Sequence, residues 1–339
     1  MGRIVYRVGI AGYGSVGAIR HRVIDTLYDF EVVAAADQKF VAPEERPQEL
    51  LCFTSYEEML ECAGLHVLFV CLPNYLAAQA TIDGLEKGVH VFCEKPPGRS
   101  VEDIARVQEV ERSHPTAKLM YGFNHRYHDS VMKALDVTHN GELGQLMSMR
   151  GVYGKSKIIR FDSDWRTKRE LAGGGILLDQ GIHMVDMFRL FGGEYKDVHS
   201  FISNSFWEHD VEDNAFALLR AQNGVVAMLH SSATQWRHTF SLQMNFSRGA
   251  MNLAGILSST RSYAPETIEI VEVDPAAQEE KVQTVIQYNE DHSWKREVEE
   301  FATNILEKKP VTKGTSDDAY KTMKWVFEIY RADSTWLCN

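Results

Sequence analysis

Val8-Gly9-Ile10-Ala11-Gly12-Tyr13-Gly14-Ser15-Val16-Gly17 is the stretch whose reading decides the fold. A short apolar run ends in a G-x-G-x-x-G pattern. A helical stretch over about residues 16–27 follows, and then the β-rich run Phe30–Ala36. Such glycines are weak evidence alone, since glycine turns are common. Between a strand and a helix, with Asp37 at the end of the next strand and 20 residues after Gly17, they stand in the context of a dinucleotide-binding turn. Gly12 permits the tight turn, Gly14 lets a pyrophosphate approach the backbone, and Gly17 lets helix and strand pack closely. The helix start offers free N–H groups to phosphates. Asp37 would accept from ribose hydroxyls and repel a 2′-phosphate, which favours NAD over NADP; Lys39 moderates that preference.

Outward from this unit the alternation continues. Strands are predicted over residues 67–72, 90–93 and 119–123, with helices over 77–86 and 101–112 between them. Near-continuous apolar strands separated by helices indicate a parallel sheet covered on both faces. After about residue 123 the rhythm changes. A helix (Asp129–His139) and a strand (145–153) precede a helix opened by Gly173-Gly174-Gly175. Strands then follow one another over 198–206, 214–221, 225–232, 240–245, 267–273 and 283–288. Asn223-Gly224 is a two-residue hairpin signal, and short connections favour antiparallel pairing. Amphipathic helices over 294–307 and 317–332 close the chain. The expected fold is an α/β dinucleotide-binding domain (1–123) followed by an α+β domain (124–339) with a large, mostly antiparallel sheet. The C-terminal helices are candidates to pack back on the first domain.

The 339 residues exceed the roughly 150-residue prior for one domain, which agrees with two. A net charge of −11 without a Lys/Arg-rich block argues against nucleic acid as a partner. Arg20-His21-Arg22 and Lys168-Arg169 read as solvated faces or local contacts. No apolar run approaches the ~18 residues of a membrane span, so no membrane partner is expected. The five cysteines include no Cys-x-x-Cys pair, and Cys71 and Cys93 lie in apolar runs as small core residues. Residues 1–7 lack the apolar stretch of a secretory signal, so a cytoplasmic location is expected.

Three further groups carry chemistry. Glu94-Lys95-Pro96 stands at the carboxyl end of a predicted parallel strand, where ligands of such sheets bind. Lys95 there can reach a reacting centre, and Glu94 can hold it charged or bind a ribose; a surface Glu-Lys pair is the plainer alternative. Asp179 and His183 are i and i+4, so on a helix they share a face, and histidine suits proton transfer near neutral pH. A surface Asp/His pair is again the plainer alternative. Asp186 lies near His183, but the set lacks a recognised metal spacing, and no metal is expected. Asn124, His125 and Arg126 follow the sixth strand. Arg126 and Arg166 suit a phosphate or carboxylate, with an internal ion pair as the equal alternative.

Taken in order, the glycine pattern, Glu94-Lys95-Pro96, Trp165-Arg166 and Gly173-Gly174-Gly175-Ile176-Leu177-Leu178-Asp179-Gln180-Gly181-Ile182-His183 resemble the Gfo/Idh/MocA family over essentially the whole chain. The resemblance implies a Rossmann domain, then a domain whose open sheet face serves as the interface of a homodimer or homotetramer. It implies hydride transfer between a nicotinamide cofactor and a hydroxyl-bearing carbon of a sugar or polyol. Lys95, Asp179 and His183 fall on the family's catalytic positions. Gly12, Tyr13, Gly14, Ser15, Val16, Gly17, Asp37, Gln38, Leu72, Pro73, Asn74, Glu94 and Lys95 fall on its cofactor positions. Asn124, Arg126, Trp165 and Arg166 join Asp179 and His183 as substrate-binding candidates. Tyr75-Leu76-Ala77 departs from the family, whose members often carry a histidine shortly after the Pro-Asn; Pro97 after Pro96 is also unusual.

The sequence is thus expected to specify an NAD-dependent oxidoreductase acting on a secondary hydroxyl of a sugar or nucleotide sugar. Alternatives are an inositol-type dehydrogenase, a noncatalytic NAD-binding sensor or subunit, and a glycosidase that uses NAD transiently.

Overall fold

The computed structural model describes residues 5–156, 165–258, 260–277 and 279–337. They form two compact units: residues up to Phe123 with Trp294–Lys321, and Asn124–Ser293 with the residues from Thr322 onward.

The first unit is built on a six-stranded parallel sheet. Its strands are β1 (Tyr6–Ala11), β2 (Phe30–Ala36), β3 (Leu51–Phe53), β4 (Val67–Val70), β5 (His90–Glu94) and β6 (Leu119–Gly122), in the order β3-β2-β1-β4-β5-β6. All four residues of β4 and of β6 are buried, as strands covered on both faces require. β3 and the helix Tyr56–Cys62 are additions to the expected elements. Phe69, Phe92 and Phe301 form an aromatic core, with Phe69–Phe92 centroids 4.9 Å apart and Phe92–Phe301 centroids 5.6 Å apart. Cys93 is buried, which pushes its thiol up to about 12; Cys71 is only partly covered.

Arg20 corrects the expectation of a solvated basic cluster. Gly17, Arg20 and Ile24 share the buried face of the helix Ser15–Ile24, so the 3.6-residue period places the guanidinium inside. It is fully buried and donates to Glu94 Oε1 and Glu297 Oε2, both at 2.6 Å. The rings of Phe92 and Trp294 lie 4.5 and 4.4 Å from its central carbon. Burial opposes the charge, but the two carboxylates outweigh it and hold the arginine's pKa above its ordinary value.

The second unit carries an eight-stranded sheet: β7 (Leu146–Gly154), β8 (Tyr195–Ser203), β9 (Asn214–Ala221), β10 (Val226–Ser232), β11 (Thr239–Phe246), β12 (Gly249–Ala254), β13 (Glu266–Asp274) and β14 (Glu279–Tyr288). The order is β14-β13-β12-β11-β7-β10-β9-β8, antiparallel except for the parallel pair β7–β10. β12 is again an addition to the expected strands. Strand alternation leaves the faces unequal: on β9, Ala215, Ala217 and Leu219 are buried, whereas Phe216 and Leu218 are exposed. The helix Ile182–Gly192 covers the buried face so closely that a Cβ at Gly151 would lie 2.5 Å from Met184 Sδ. Glu266, also buried, accepts from Ser130 N, Ser130 Oγ and Leu257 N and hydrogen-bonds His128 Nδ1. Burial would raise its carboxyl, but these partners prevail and hold it at about 2. Among the described residues, no helix is long and apolar enough to cross a membrane.

Candidate functional site

In the first unit the strand order reverses between β1 and β4, and that switch point is where the carboxyl ends of a doubly wound sheet leave a crevice. Gly12 follows β1 with φ +88°, and a Cβ there would lie 2.4 Å from the carbonyl oxygen of Cys71. Only glycine meets both demands. The turn is thereby brought against the Cys71–Leu72 backbone, just ahead of Pro73 and Asn74 in the chain. A Cβ at Gly17 would lie 2.2 Å from Gly12 O, so the helix start is pinned to the turn. Gly14, by contrast, has no heavy atom within 4 Å of a Cβ position. Gly14 and Ser15 are exposed, the helix has no side-chain N-cap, and no acidic residue stands in its first turn. An open, uncapped helix start without negative charge fits a pyrophosphate.

Asp37 ends β2 as expected and organises the same loop. Its Oδ2 accepts from Tyr13 N at 2.8 Å and its Oδ1 from Lys39 N at 3.1 Å, which leaves lone pairs for ribose hydroxyls. The Lys39 ammonium is 3.7 Å from Glu45, which offsets its moderating charge. Gln38 is exposed beside Asp37, and Asn74 is buried at the start of the helix Asn74–Glu86. Glu94 closes β5 next to Lys95, which is half-buried ahead of a cis Lys95–Pro96 peptide. Arg20 also engages Glu94, at 2.6 Å.

In the second unit, Asp179 lies in a π-helical turn, Leu177–Gly181, which runs into the helix that carries His183. The sequence pattern predicted an ordinary helix here; π-turns are frequent at functional sites. The segment is anchored by Glu212, a carboxylate that accepts from Gly175 N, Leu177 N and Tyr330 Oη at 2.7, 2.8 and 2.7 Å. Complete burial pushes Glu212 up to about 7 despite those donors.

Two further residues meet this segment: Lys155, which the sequence did not single out, and His125, which it placed beside Asn124 and Arg126. Lys155 Nζ is 3.0 Å from Asp179 Oδ2. The His125 ring stacks on His183 with centroids 3.6 Å apart and planes 18° from parallel. Both ring nitrogens of His125 are engaged, Nδ1 by Asn124 Oδ1 and Nε2 by Tyr153 Oη, each at 3.2 Å. Burial raises the Tyr153 phenol further above neutral pH, so it stays protonated and can donate a hydrogen bond.

Asn124 and Arg126 turn inward. Asn124 donates to Ser293 Oγ at 3.2 Å. Arg126 forms a two-pronged pair with Asp186 at 2.7 and 2.6 Å, both residues buried. Of the two readings of Arg126, the internal ion pair is the one present, and it also engages the carboxylate weighed for a metal. Trp165 and Arg166 sit in one 3-10 turn with the guanidinium carbon 4.3 Å from the indole centroid.

A family model described as an oxidoreductase family with an NAD-binding Rossmann fold matches residues 6–123, and the GFO/IDH/MocA C-terminal domain matches residues 131–252. The chain belongs to the Gfo/Idh/MocA family. Among its curated members, levoglucosan dehydrogenase of Pseudarthrobacter phenanthrenivorans is 26% identical over 60% of this chain and 58% of its own length. D-glucoside 3-dehydrogenase of Escherichia coli is 30% identical over 67% of this chain and 70% of its own. The match thus spans less than two thirds of the first of these relatives. A solved Gfo/Idh/MocA structure, levoglucosan dehydrogenase in complex with NADH, superposes with a TM-score of 0.86 at 19% identity, covering 98% of this chain and 97% of that one, and shares the fold.

Proposed function

We propose that this Gfo/Idh/MocA member is an NAD-dependent dehydrogenase acting on a secondary hydroxyl of an uncharged sugar. The observation that carries the reading is the placement of Asp179 and His183 on one helical segment, with Lys155 on the first and His125 against the second. His183 takes the hydroxyl proton during oxidation and returns it during reduction. Lys95 donates to the oxygen as negative charge develops there. Asp179 accepts a hydrogen bond from a neighbouring hydroxyl and orients the ring. Gly12–Gly17, Asp37 and Leu72–Asn74 hold the dinucleotide, which when bound accepts or returns a hydride.

An uncharged substrate is favoured over a nucleotide sugar because two of the cations suited to a phosphate have carboxylate partners, Arg126 with Asp186 and Lys155 with Asp179, while Arg166 stacks on Trp165. The relatives named for levoglucosan and D-glucoside support the same class. Following NADH formation across free sugars, glycosides, inositols and nucleotide sugars tests the reading. An uncharged pyranose or glycoside should give the highest kcat/KM. NADH binding without turnover of any member supports the noncatalytic alternative instead.

Asp37 sets the cofactor preference. Wild-type protein is expected to use NAD at least about tenfold better than NADP, a difference of some 1.4 kcal/mol. Asp37→Ser should shrink that ratio by weakening NAD and admitting NADP, as paired kcat/KM measurements would show. Equal use of both cofactors by wild type would refute the role.

The exposed face of the second sheet supports self-association, the proposed partner being a second copy. Phe201, Phe216, Leu218 and Met228 are 77%, 44%, 47% and 47% exposed. Scattered apolar residues are ordinary on a surface, but these fall on the strands β8, β9 and β10. Phe201→Glu with Phe216→Glu is expected to lower the mass in sedimentation to that of one chain; a wild-type monomer would refute the assembly. The cytoplasm suits an NAD-dependent enzyme whose Cys52, Cys62, Cys71 and Cys93 are free thiols; cell fractionation checks that placement.

A further inference from the structure

Lys155 was not among the candidates from sequence, yet both of its backbone polar groups are hydrogen-bonded. Its N–H donates to Ser232 O and its carbonyl accepts from Gln235 N, both at 2.9 Å, which continues the parallel pairing of β7 with β10. It follows β7 directly and is two residues after Tyr153, so extended backbone turns both side chains to one face of the sheet. Facing them are Asp179 and His183, four residues apart. The strand pair meets the helical pair in register. Lys155 bonds Asp179 at 3.0 Å, and Tyr153 reaches His183 through the stacked ring of His125.

The lysine side chain is 12% exposed and that of Asp179 22%, so the pair is open at one side. An ammonium carries three donors, and among the described residues Asp179 takes one. Its charge is balanced by that carboxylate, which leaves little attraction for a phosphate but good donors for a hydroxyl.

We propose that Lys155 binds substrate and determines specificity, holding Asp179 in place while donating to a hydroxyl next to the oxidised carbon of an uncharged sugar. This rests on the dehydrogenase reading above. The two residues, 3.0 Å apart, read one hydroxyl together, Asp179 as acceptor and Lys155 as donor. A sugar lacking that hydroxyl forfeits both of those bonds, while the bond between Lys155 and Asp179 remains.

The test crosses Lys155→Met and Lys155→Arg with methyl glucoside and its monodeoxy analogues. Melting curves and NADH titrations would first establish that each variant folds and binds cofactor. Lys155→Met should lower kcat/KM on the parent sugar by about 10- to 100-fold, the range for losing a hydrogen bond to a charged group, and mostly through KM. Lys155→Arg should recover part of the loss. One monodeoxy analogue should be used equally by wild type and Lys155→Met, because its partner hydroxyl is already gone. An equal loss on every analogue would overturn the proposal, as would a Met variant indistinguishable from wild type. If wild type forms no NADH from any of these sugars, the dehydrogenase reading has failed on this panel, and calorimetric binding of the same sugars then decides Lys155. Weaker binding by the Met variant would support it; equal binding, or none, would overturn it.

Discussion

His183→Asn is expected to lower kcat by about 10²–10⁴-fold, the span that positioned proton transfer contributes. NADH affinity should not move, because the glycine turn and Asp37 belong to the other compact unit. Asparagine keeps a polar group of modest size in a site that is only 4% exposed, so packing changes little. It cannot take up a proton near neutral pH. His125 cannot substitute although its ring lies 3.6 Å away, because Asn124 and Tyr153 hold both of its nitrogens. Steady-state rates with a fluorescence titration of NADH separate the two effects. A variant with wild-type kcat would remove His183 from the reaction.

Arg20→Met should be the most damaging single change to stability, costing about 3–5 kcal/mol, the usual loss when one partner of a buried ion cluster is removed. Glu297 is fully buried and Glu94 only slightly exposed at its side chain, so neither carboxylate can recover its hydration. The stacking of the guanidinium against Phe92 and Trp294 is lost as well. Arg20→Met combined with Glu94→Gln and Glu297→Leu should recover much of the deficit, since replacing a whole buried cluster is far cheaper than breaking it. Denaturant midpoints of the two variants decide this. A single variant as stable as wild type would show that the cluster contributes nothing.

The fold was legible where one physical constraint governed several residues at once. A turn that needs φ +88° at Gly12 and close contact at Gly17 has few sequence solutions, and so β1, the following helix and β2 could be read directly. β3 is three residues long with Leu51 half exposed, and gives no periodic signal. The helix after it did carry a start signal, since Ser55 Oγ accepts from Glu58 N, but the hydrophobic pattern was too short to draw attention to it. β12 is held by register with β11 and β13 on both sides, a long-range property that its own residues do not display.

The site divides in the same way. Asp37, Asp179 and His183 were singled out through spacing. Lys155 and the pairing of Arg126 with Asp186 were not, because both depend on which strand lies beside which helix. A strand-end lysine two residues after a tyrosine was the available signal, and it gains meaning only once β7 is known to lie between β11 and β10. Arg20 was misread because charge was weighed without helical phase; Gly17 and Ile24 on the same face were the corrective.

Because Arg20 reaches forward to Glu297, the first unit draws on residues made at opposite ends of translation. A ribosome that has delivered the whole parallel sheet has not yet delivered Phe301, the third ring of its aromatic core, or the second carboxylate on the arginine. The nascent sheet therefore lacks part of its core and of its arginine cluster while Asn124–Ser293, the larger part of the second unit, is synthesised, and a fragment ending at Phe123 would lack them permanently.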